Sequence, residues 1–416
     1  MKYQLIIQTF ISRFLILGLN FGLVIYSTNM WGSEGKGLIS IIIANLSIVS
    51  FISNIFSGSS TSYFASKFRR EQIVLYAYSW SVFVGCTVPF IFSYSLTKEY
   101  TFYLIILSVI SSLLSTNINL FIGMKNIKLF NIYTILQLLI QVLFIVGMVY
   151  VLGMKKVTVY FIAQIICLFV LFVSSSIQLW QKLTISHLYF SKNIRNDMFN
   201  YGWKTQLSSF FQFLNNRLSF YFLEYFRGIT SVGVFSVGIA FSEAIWTVSR
   251  SLAYILYSDI INSDNPNHMI AQTKISLKLS FLMTLICIIV MLLIPASFYT
   301  MVFGKDFYET KKIILLLSPG ILAIAVSNII GFYFAGMNRL KILNIKSIVG
   351  LVFTLLVSFY LIPRWGIIGA CIMTSISYCL SSALLLWSFY QFTEFHFYDF
   401  WITKNEIRLI LQKLKK

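Results

Sequence analysis

Apolar runs of about twenty residues with few charges recur along the whole chain, separated by short polar breaks. A helix rises 1.5 Å per residue, so a run of about 20 residues is what crossing about 30 Å of hydrocarbon requires. Twelve runs qualify, over residues 6–30, 38–57, 73–95, 101–123, 132–153, 157–180, 205–226, 232–257, 279–302, 313–336, 348–362 and 367–390. They are continuous rather than alternating over about ten residues, which predicts helices and not barrel strands. Only 11% of the residues are charged against 58% hydrophobic, a balance that excludes an ordinary soluble domain. No small-residue cleavage site and polar mature domain follow the first run, so it reads as a retained span.

The net charge of +19 would point to nucleic acid in a soluble chain. Here the basic residues sit in short connections between apolar runs, so they report topology and no nucleic-acid partner is expected. The termini and even-numbered connections hold more than twice as many Lys and Arg as the odd-numbered ones. The positive-inside rule then places both termini in the cytoplasm. The five cysteines all lie inside apolar runs without a CxxC pair, and His187, His268 and His396 have no ligand-spaced partners. Neither a disulfide nor a metal site is expected.

The connection 181–204 carries Lys182, Lys192, Arg195 and Lys204 and divides the spans six and six. The expected organisation is an N-terminal lobe over 1–180, a basic cytoplasmic linker over 181–204, a C-terminal lobe over 205–390 and a basic amphipathic tail over 391–416. In the tail, Ile407, Ile410, Leu411 and Leu414 recur at helical spacing among Arg408, Lys413, Lys415 and Lys416, which reads as a helix lying on anionic lipid or as a frayed basic terminus. A faint internal echo supports duplication of the lobes. Gly32, Gly37 and Ser40 after the first span match Gly228, Gly233 and Ser236 after the seventh, and the same offset aligns Asn20 with Asn216.

Charges inside spans are the first candidates for function. Arg217 lies about twelve residues, roughly 18 Å, into the seventh span. Glu243 reaches a similar depth from the other side on the next, antiparallel span. The two are placed to pair, either as part of a site or as a structural ion pair between helices. Thr9, Arg13, Asn20 and Ser27 form one polar stripe on the first span, with Arg13 either lining a cavity or snorkelling to the interface. Arg250 shares the face of Glu243 nearer the cytoplasm, and Glu224 lies towards the outer end of its helix. Asn117, Asn216 and Ser219 add polar groups to a lining, and Asn117, like Gln137, Gln141 and Gln164, serves equally as an interhelical contact. A cavity with Arg13, Arg217 and Arg250 against Glu243 and Glu224 suits an anion, above all a phosphate group, for which guanidinium offers paired planar donors. Phosphate-loop and paired-acid patterns are absent, which argues against an ATP-driven pump or a nucleotide-sugar enzyme. Pro89, Pro295 and Pro319 within spans read as bends, moving or static.

The order of these features resembles a known family. The stretch Gly32-Ser33-Glu34-Gly35-Lys36-Gly37 after a basic first helix, Asn215-Asn216-Arg217, Gly233 to Ser236, Ile294-Pro295, Phe303-Gly304-Lys305-Asp306-Phe307, Ser318-Pro319-Gly320 and Pro363-Arg364-Trp365-Gly366 together look like the Wzx-type lipid-linked oligosaccharide flippases of the MOP exporter superfamily. The resemblance implies an all-α polytopic membrane protein with about twelve transmembrane helices in two pseudo-symmetric six-helix lobes around a central cavity. It further implies a non-enzymatic flippase of the bacterial inner membrane. Its substrate would be an undecaprenyl-pyrophosphate-linked oligosaccharide repeat of an O-antigen or similar surface polysaccharide, gripped by Arg13 and Arg217. Partners would be membrane lipids and other polysaccharide assembly proteins. No cofactor is implied beyond coupling to a proton or sodium gradient, for which Glu243 is the substitute candidate, since Leu218 and Ser219 follow Arg217 where some members carry an acid. A MATE-like exporter of a small molecule is the second reading. A membrane-embedded glycosyltransferase or polymerase is the third.

Overall fold

The computed structural model describes residues 2–65, 67–94, 96–124, 126–181, 192–261, 265–337 and 339–393, with side chains from residue 15 onward except at 127, 208, 258, 261 and 340. The expected amphipathic tail lies outside the described residues from 394 on, as does the part of the linker over 182–191. The described residues form twelve α-helices: α1 (Lys2–Ser57), α2 (Ser59–Phe64), α3 (Arg70–Thr87), α4 (Lys98–Gly123), α5 (Ile127–Tyr150), α6 (Thr158–Trp180), α7 (Lys192–Arg227), α8 (Ile229–Ile261), α9 (Pro266–Leu293), α10 (Ala296–Phe303), α11 (Thr310–Gly336) and α12 (Leu340–Thr393).

Among the described residues nine helices are long and apolar enough to cross a membrane. Two of them contain two spans each. α1 has 56 residues and α12 has 54, about twice the length that a bilayer needs. Each breaks at one glycine, Gly32 (φ 62°) and Gly366 (φ 55°), because only glycine enters the left-handed region without a Cβ penalty. The twelfth span is α7, whose Gln212, Asn215, Asn216 and Arg217 dilute its apolar character. The chain is thus an all-α polytopic membrane protein.

One span is displaced from its expected place. Residues 279–302 were expected as one helix, but α9 occupies Pro266–Leu293. Asn265 accepts from the backbone N–H groups of Asn267 and His268 at its start, with Pro266 pre-setting the first turn. Pro295 stops the helix because it cannot donate and restricts the residue before it, so the apolar stretch after it becomes the separate α10. Pro89 likewise marks a change, from α3 to a 3₁₀ segment over Val88–Tyr94. Pro319 is tolerated inside α11. There the N–H of Gly320 donates to Ser375 Oγ on α12 at 2.9 Å, and a Cβ on Gly320 would stand 2.8 Å from the Ser375 Cα, so the glycine permits close helix contact.

Two compact units divide the chain, Met1–Phe210 and Phe211–Lys416. In the first, α4 is the central helix, packed against α1, α3, α5 and α6. In the second, α11 takes that place against α8, α9 and α12. These are the fourth and tenth spans, so both units are built around their own fourth span. Buried positions between helices are rich in Ser, Thr and Asn, while Leu143, Phe90 and Leu356 are more than half exposed. That is the inverse of a soluble protein and fits lipid as the surrounding solvent.

The start of α7 belongs by packing to the first unit. Ile194 and Met198 are buried, Tyr201 stacks on Tyr63 at 4.4 Å, and Ser59 and Thr205 share a 2.9 Å hydrogen bond. A Cβ on Gly202 would stand 2.7 Å from the Ile55 carbonyl carbon. Residues 192–204, expected as a linker, are therefore helical turns seated on the end of the second span.

Positive φ occurs among the described residues at Gly32, Gly153, Gly228, Gly304 and Gly366, and every one stands in an odd-numbered connection. The residues just before Gly32 and Gly228 then do equivalent work. Trp31 donates its indole N–H to the Lys155 carbonyl in the fifth connection at 2.9 Å. Arg227 donates from Nη2 to the Pro363 and Arg364 carbonyls in the eleventh connection at 2.6 and 3.2 Å. Ser40 and Ser236, paired in the sequence echo, each donate back to their own helix, to Lys36 at 2.8 Å and to Gly233 at 2.7 Å.

Candidate functional site

The strongest candidate site lies in the second unit, on a polar frame made by α7 and the two halves of α12. Asn215 is 2% exposed. Its Oδ1 accepts from Thr354 Oγ1 at 2.7 Å and Ser377 Oγ at 3.0 Å, and Ser377 also donates to the Gly350 carbonyl at 3.1 Å. Ser347 donates to Gln212 at 3.3 Å, and Ser219 bonds Thr374 at 3.0 Å. In hydrocarbon such groups find partners on neighbouring helices because no water is at hand. Within Asn215-Asn216-Arg217, the first residue is thus the structural anchor. Asn216 is half-buried and, among the described residues, accepts from Gln212 on its own helix at 3.3 Å.

On this frame Arg217 and Glu243 meet. Arg217 lies about three turns before Gly228 and Glu243 about four turns after it, and the antiparallel packing of α7 on α8 makes them level. Arg217 Nη2 is 2.5 Å from Glu243 Oε1, with the side chains 23% and 39% exposed. The pairing expected from depth alone is formed. The guanidinium also lies over the Phe220 ring, 5.0 Å from its centroid, which supports its planar face.

Further charges surround the pair. Arg250 lies exposed on α8, 5.8 Å from the Trp246 ring centroid, and faces the half-buried Lys346 closely enough for the two like charges to act on each other. Tyr378 packs against Trp246 at 6.0 Å. Arg217, Glu243 and Arg250 all act electrostatically on its hydroxyl. That hydroxyl is buried and has no hydrogen-bond partner among the described residues. Two arginines thus stand around one carboxylate and one orphaned hydroxyl, with Lys346 beside Arg250, and the site carries a net positive charge.

Lys346, Trp246 and Tyr378 were not singled out in the sequence. Lys346 resembles an ordinary loop cation when only the apolar run after it is read. The stripes Ser347, Gly350, Thr354, Ser358 and Thr374, Ser377, Ser381 were the available signal, since small polar residues at helical spacing mark a face packed against other helices.

Several expected lining residues do other work. Asn117 is fully buried, donating to Ser175 at 2.8 Å and Ser176 at 3.0 Å and accepting from Tyr78 at 2.5 Å, so it joins helices of the first unit and lines no open space. Ser27 is 1% exposed and bonded to the Val24 carbonyl at 2.9 Å. Ser219 is 0% exposed. These three are corrections with one cause, since a hydroxyl or amide in a span is satisfied by the nearest helix. Asn20 is exposed, and Glu224 is half-buried two turns beyond Arg217. The side chains of Thr9 and Arg13 lie outside the described residues.

The fold is similar to that of solved transporters of the MOP superfamily. An inward-facing multidrug resistance MATE family transporter of that superfamily is similar with a TM-score of 0.71 and 12% identity, over 91% of this chain and 95% of its own. A MOP superfamily transporter from Pyrococcus furiosus, described as having a binding pocket of reverse polarity that suggests a different function, matches with a TM-score of 0.62 and 13% identity over 94% of both chains. An outward-facing MATE transporter matches with a TM-score of 0.62 and 14% identity, over 94% of this chain and 95% of its own. By sequence, neither a family model nor a curated protein matches the chain.

Proposed function

We propose that the chain is a membrane transporter that flips an undecaprenyl-pyrophosphate-linked oligosaccharide repeat from the cytoplasmic to the periplasmic leaflet by alternating access. The observation that carries this reading is the sign of the site, in which Arg217 and Arg250 outnumber Glu243 around the orphaned Tyr378 hydroxyl, with Lys346 beside Arg250. Pyrophosphate offers several oxygens and more than one negative charge, which planar guanidinium donors and a lysine bind without any covalent step. The sequence motifs support the same substrate class and add Arg13 as a second grip on the pyrophosphate. In this reading the protein lies in the bacterial inner membrane with both termini cytoplasmic, as the Lys and Arg distribution supports. A proton or sodium gradient supplies the driving force, with Glu243 as the coupling group.

The fold favours one competing reading, a MATE-like exporter of a soluble compound, since MATE transporters share it. A cation exporter needs carboxylates at its site, and the cationic excess around Arg217 speaks against that. The Pyrococcus furiosus neighbour, with its pocket of reverse polarity, is a precedent for one fold serving opposite charges. The discriminating experiment follows the leaflet location of lipid-linked oligosaccharide in cells with and without the protein, using a glycan-modifying probe that cannot cross the inner membrane. Protein-dependent modification is expected. Unchanged modification, with the protein inserted and the glycan pathway running, overturns the flippase reading.

A further inference from the structure

A second site lies in the first unit, independent of the transport reading. A cavity of about 670 Å³ opens between the end of the second span, α3 and the first turns of α7. Its wall is aromatic, formed by Phe56, Tyr76, Trp80, Phe83 and Phe199. Phe56 lies 5.2 Å from Trp80 and 6.1 Å from Phe199, and Trp80 lies 6.0 Å from Phe83. The Trp80 indole is fixed by donating to the Ile52 carbonyl at 3.0 Å. Phe83 and Phe199 remain 59% and 41% exposed, so the wall opens outward at the protein surface.

The lip of the cavity is polar and cationic. Arg195, Asn196 and Asn200 line it from the amphipathic start of α7, whose Ile194 and Met198 are buried on the opposite side. Among the described residues Arg195 hydrogen-bonds to Asn196 Oδ1, at 3.4 Å from both Nε and Nη2. Asp197, two residues on, points elsewhere on the helix. Lys192 and Lys204 flank Arg195 on the same segment, and Lys67, Arg69 and Arg70 lie just before and at the start of α3, where Lys67 donates to the Tyr63 hydroxyl and Tyr63 stacks on Tyr201 of α7. An aromatic slot open at the protein surface, with an arginine at its polar mouth, matches a molecule with an apolar chain and an anionic head. A soluble anion would leave the aromatic wall uncovered.

We infer that this cavity binds an anionic phospholipid, with the head group phosphate at Arg195, Asn196 and Asn200 and an acyl chain along Phe56, Trp80 and Phe83. The basic rim draws such lipids to this end of the unit, and the cavity retains one.

The test uses the full chain in nanodiscs of phosphatidylcholine containing a small fraction of brominated lipid, whose bromines quench nearby tryptophan. Brominated phosphatidylglycerol should quench more than brominated phosphatidylcholine at equal mole fraction. Trp80→Phe should remove the difference even though seven other tryptophans remain of the eight in the chain. Arg195→Gln should reduce the preference about five-fold and Arg195→Glu should abolish it; both are substitutions of an exposed residue. Equal quenching by the two lipids overturns the inference, as does a preference that survives Arg195→Gln or Trp80→Phe. Inorganic phosphate at the head group concentration should not compete, and full competition would assign the mouth to a soluble anion and overturn the lipid.

Discussion

Glu243→Gln should tighten pyrophosphate binding. In the structure the carboxylate holds the Arg217 guanidinium at 2.5 Å, so an arriving anion must take its place. Two unit charges about 4 Å apart attract by about 4 kcal/mol at an effective dielectric of about 20, whereas exposed pairs measure about 0–1 kcal/mol. With Arg217 23% and Glu243 39% exposed, solvent screens the pair substantially, and about 1.5–2 kcal/mol is the appropriate range. Removing the carboxylate charge while keeping its shape should therefore raise affinity about 10- to 30-fold. The assay is calorimetric titration of the purified full chain with inorganic pyrophosphate and with undecaprenyl pyrophosphate. Arg217→Gln should lose binding, and the double variant should behave like Arg217→Gln. Thermal unfolding of the same four proteins should give a coupling of about 1.5 kcal/mol for the pair. Unchanged or weaker binding in Glu243→Gln would refute the competition, and a coupling near zero would refute the pair itself.

Arg217→Ala should abolish delivery of the glycan to the outer leaflet at unchanged membrane abundance, while Arg217→Lys restores part of it because the paired donors are lost; probe access and quantitative immunoblotting measure both. Gly228→Ala should cost about 1–2 kcal/mol in thermal unfolding, all of it backbone strain, since nothing lies within 4 Å of a Cβ there. Asn215→Ala should cost about 1 kcal/mol, since it removes one acceptor while Thr354 keeps its bond to Ser377 at 2.9 Å and Ser377 keeps the Gly350 carbonyl, whereas Asn216→Ala should stay within about 0.5 kcal/mol. Arg227→Gln should destabilise by about 1.5–3 kcal/mol and Trp31→Phe by about 1 kcal/mol, each losing donation to a carbonyl in its own unit.

The spans were legible because hydrocarbon allows few alternatives, and apolar length alone located eleven of them closely. The ninth was misplaced because residues 266–278 look polar enough for a loop, while Asn265 and Pro266 start a helix there. The Arg217–Glu243 pair was legible from depth, because consecutive antiparallel helices bring equal depths together. Polarity without depth was less informative. Asn117, Ser27 and Ser219 carry the same groups as a lining would, and only their neighbours decide that those groups are already satisfied. Adjacent Asn215 and Asn216 differ by about 100° around one helix, which sends one into α12 and leaves the other half-buried.

The internal echo was faint for a related reason. What the two halves share at their first connection is a donor aimed at the fifth, and that donor is an indole in one and a guanidinium in the other. A comparison of letters scores Trp31 against Arg227 as a mismatch, although the two occupy equivalent positions and close equivalent corners.

Those corners set how slack is distributed along the chain. α7 and α8 are joined through Gly228 alone, and the halves of α1 and α12 through Gly32 and Gly366, so neighbouring helices at the odd-numbered end are held within a few ångström by the backbone itself. Each such pair is pinned at one end like a pair of compass legs, and its remaining contacts, such as Arg217–Glu243 and Thr354–Ser377, lie further along the legs. A tilt of about 10° about the pin carries the far end of a helix about 30 Å long through roughly 5 Å. Any spreading of the paired helices would therefore be largest at the end that carries most of the Lys and Arg, and the pinned end would need no loop to follow it.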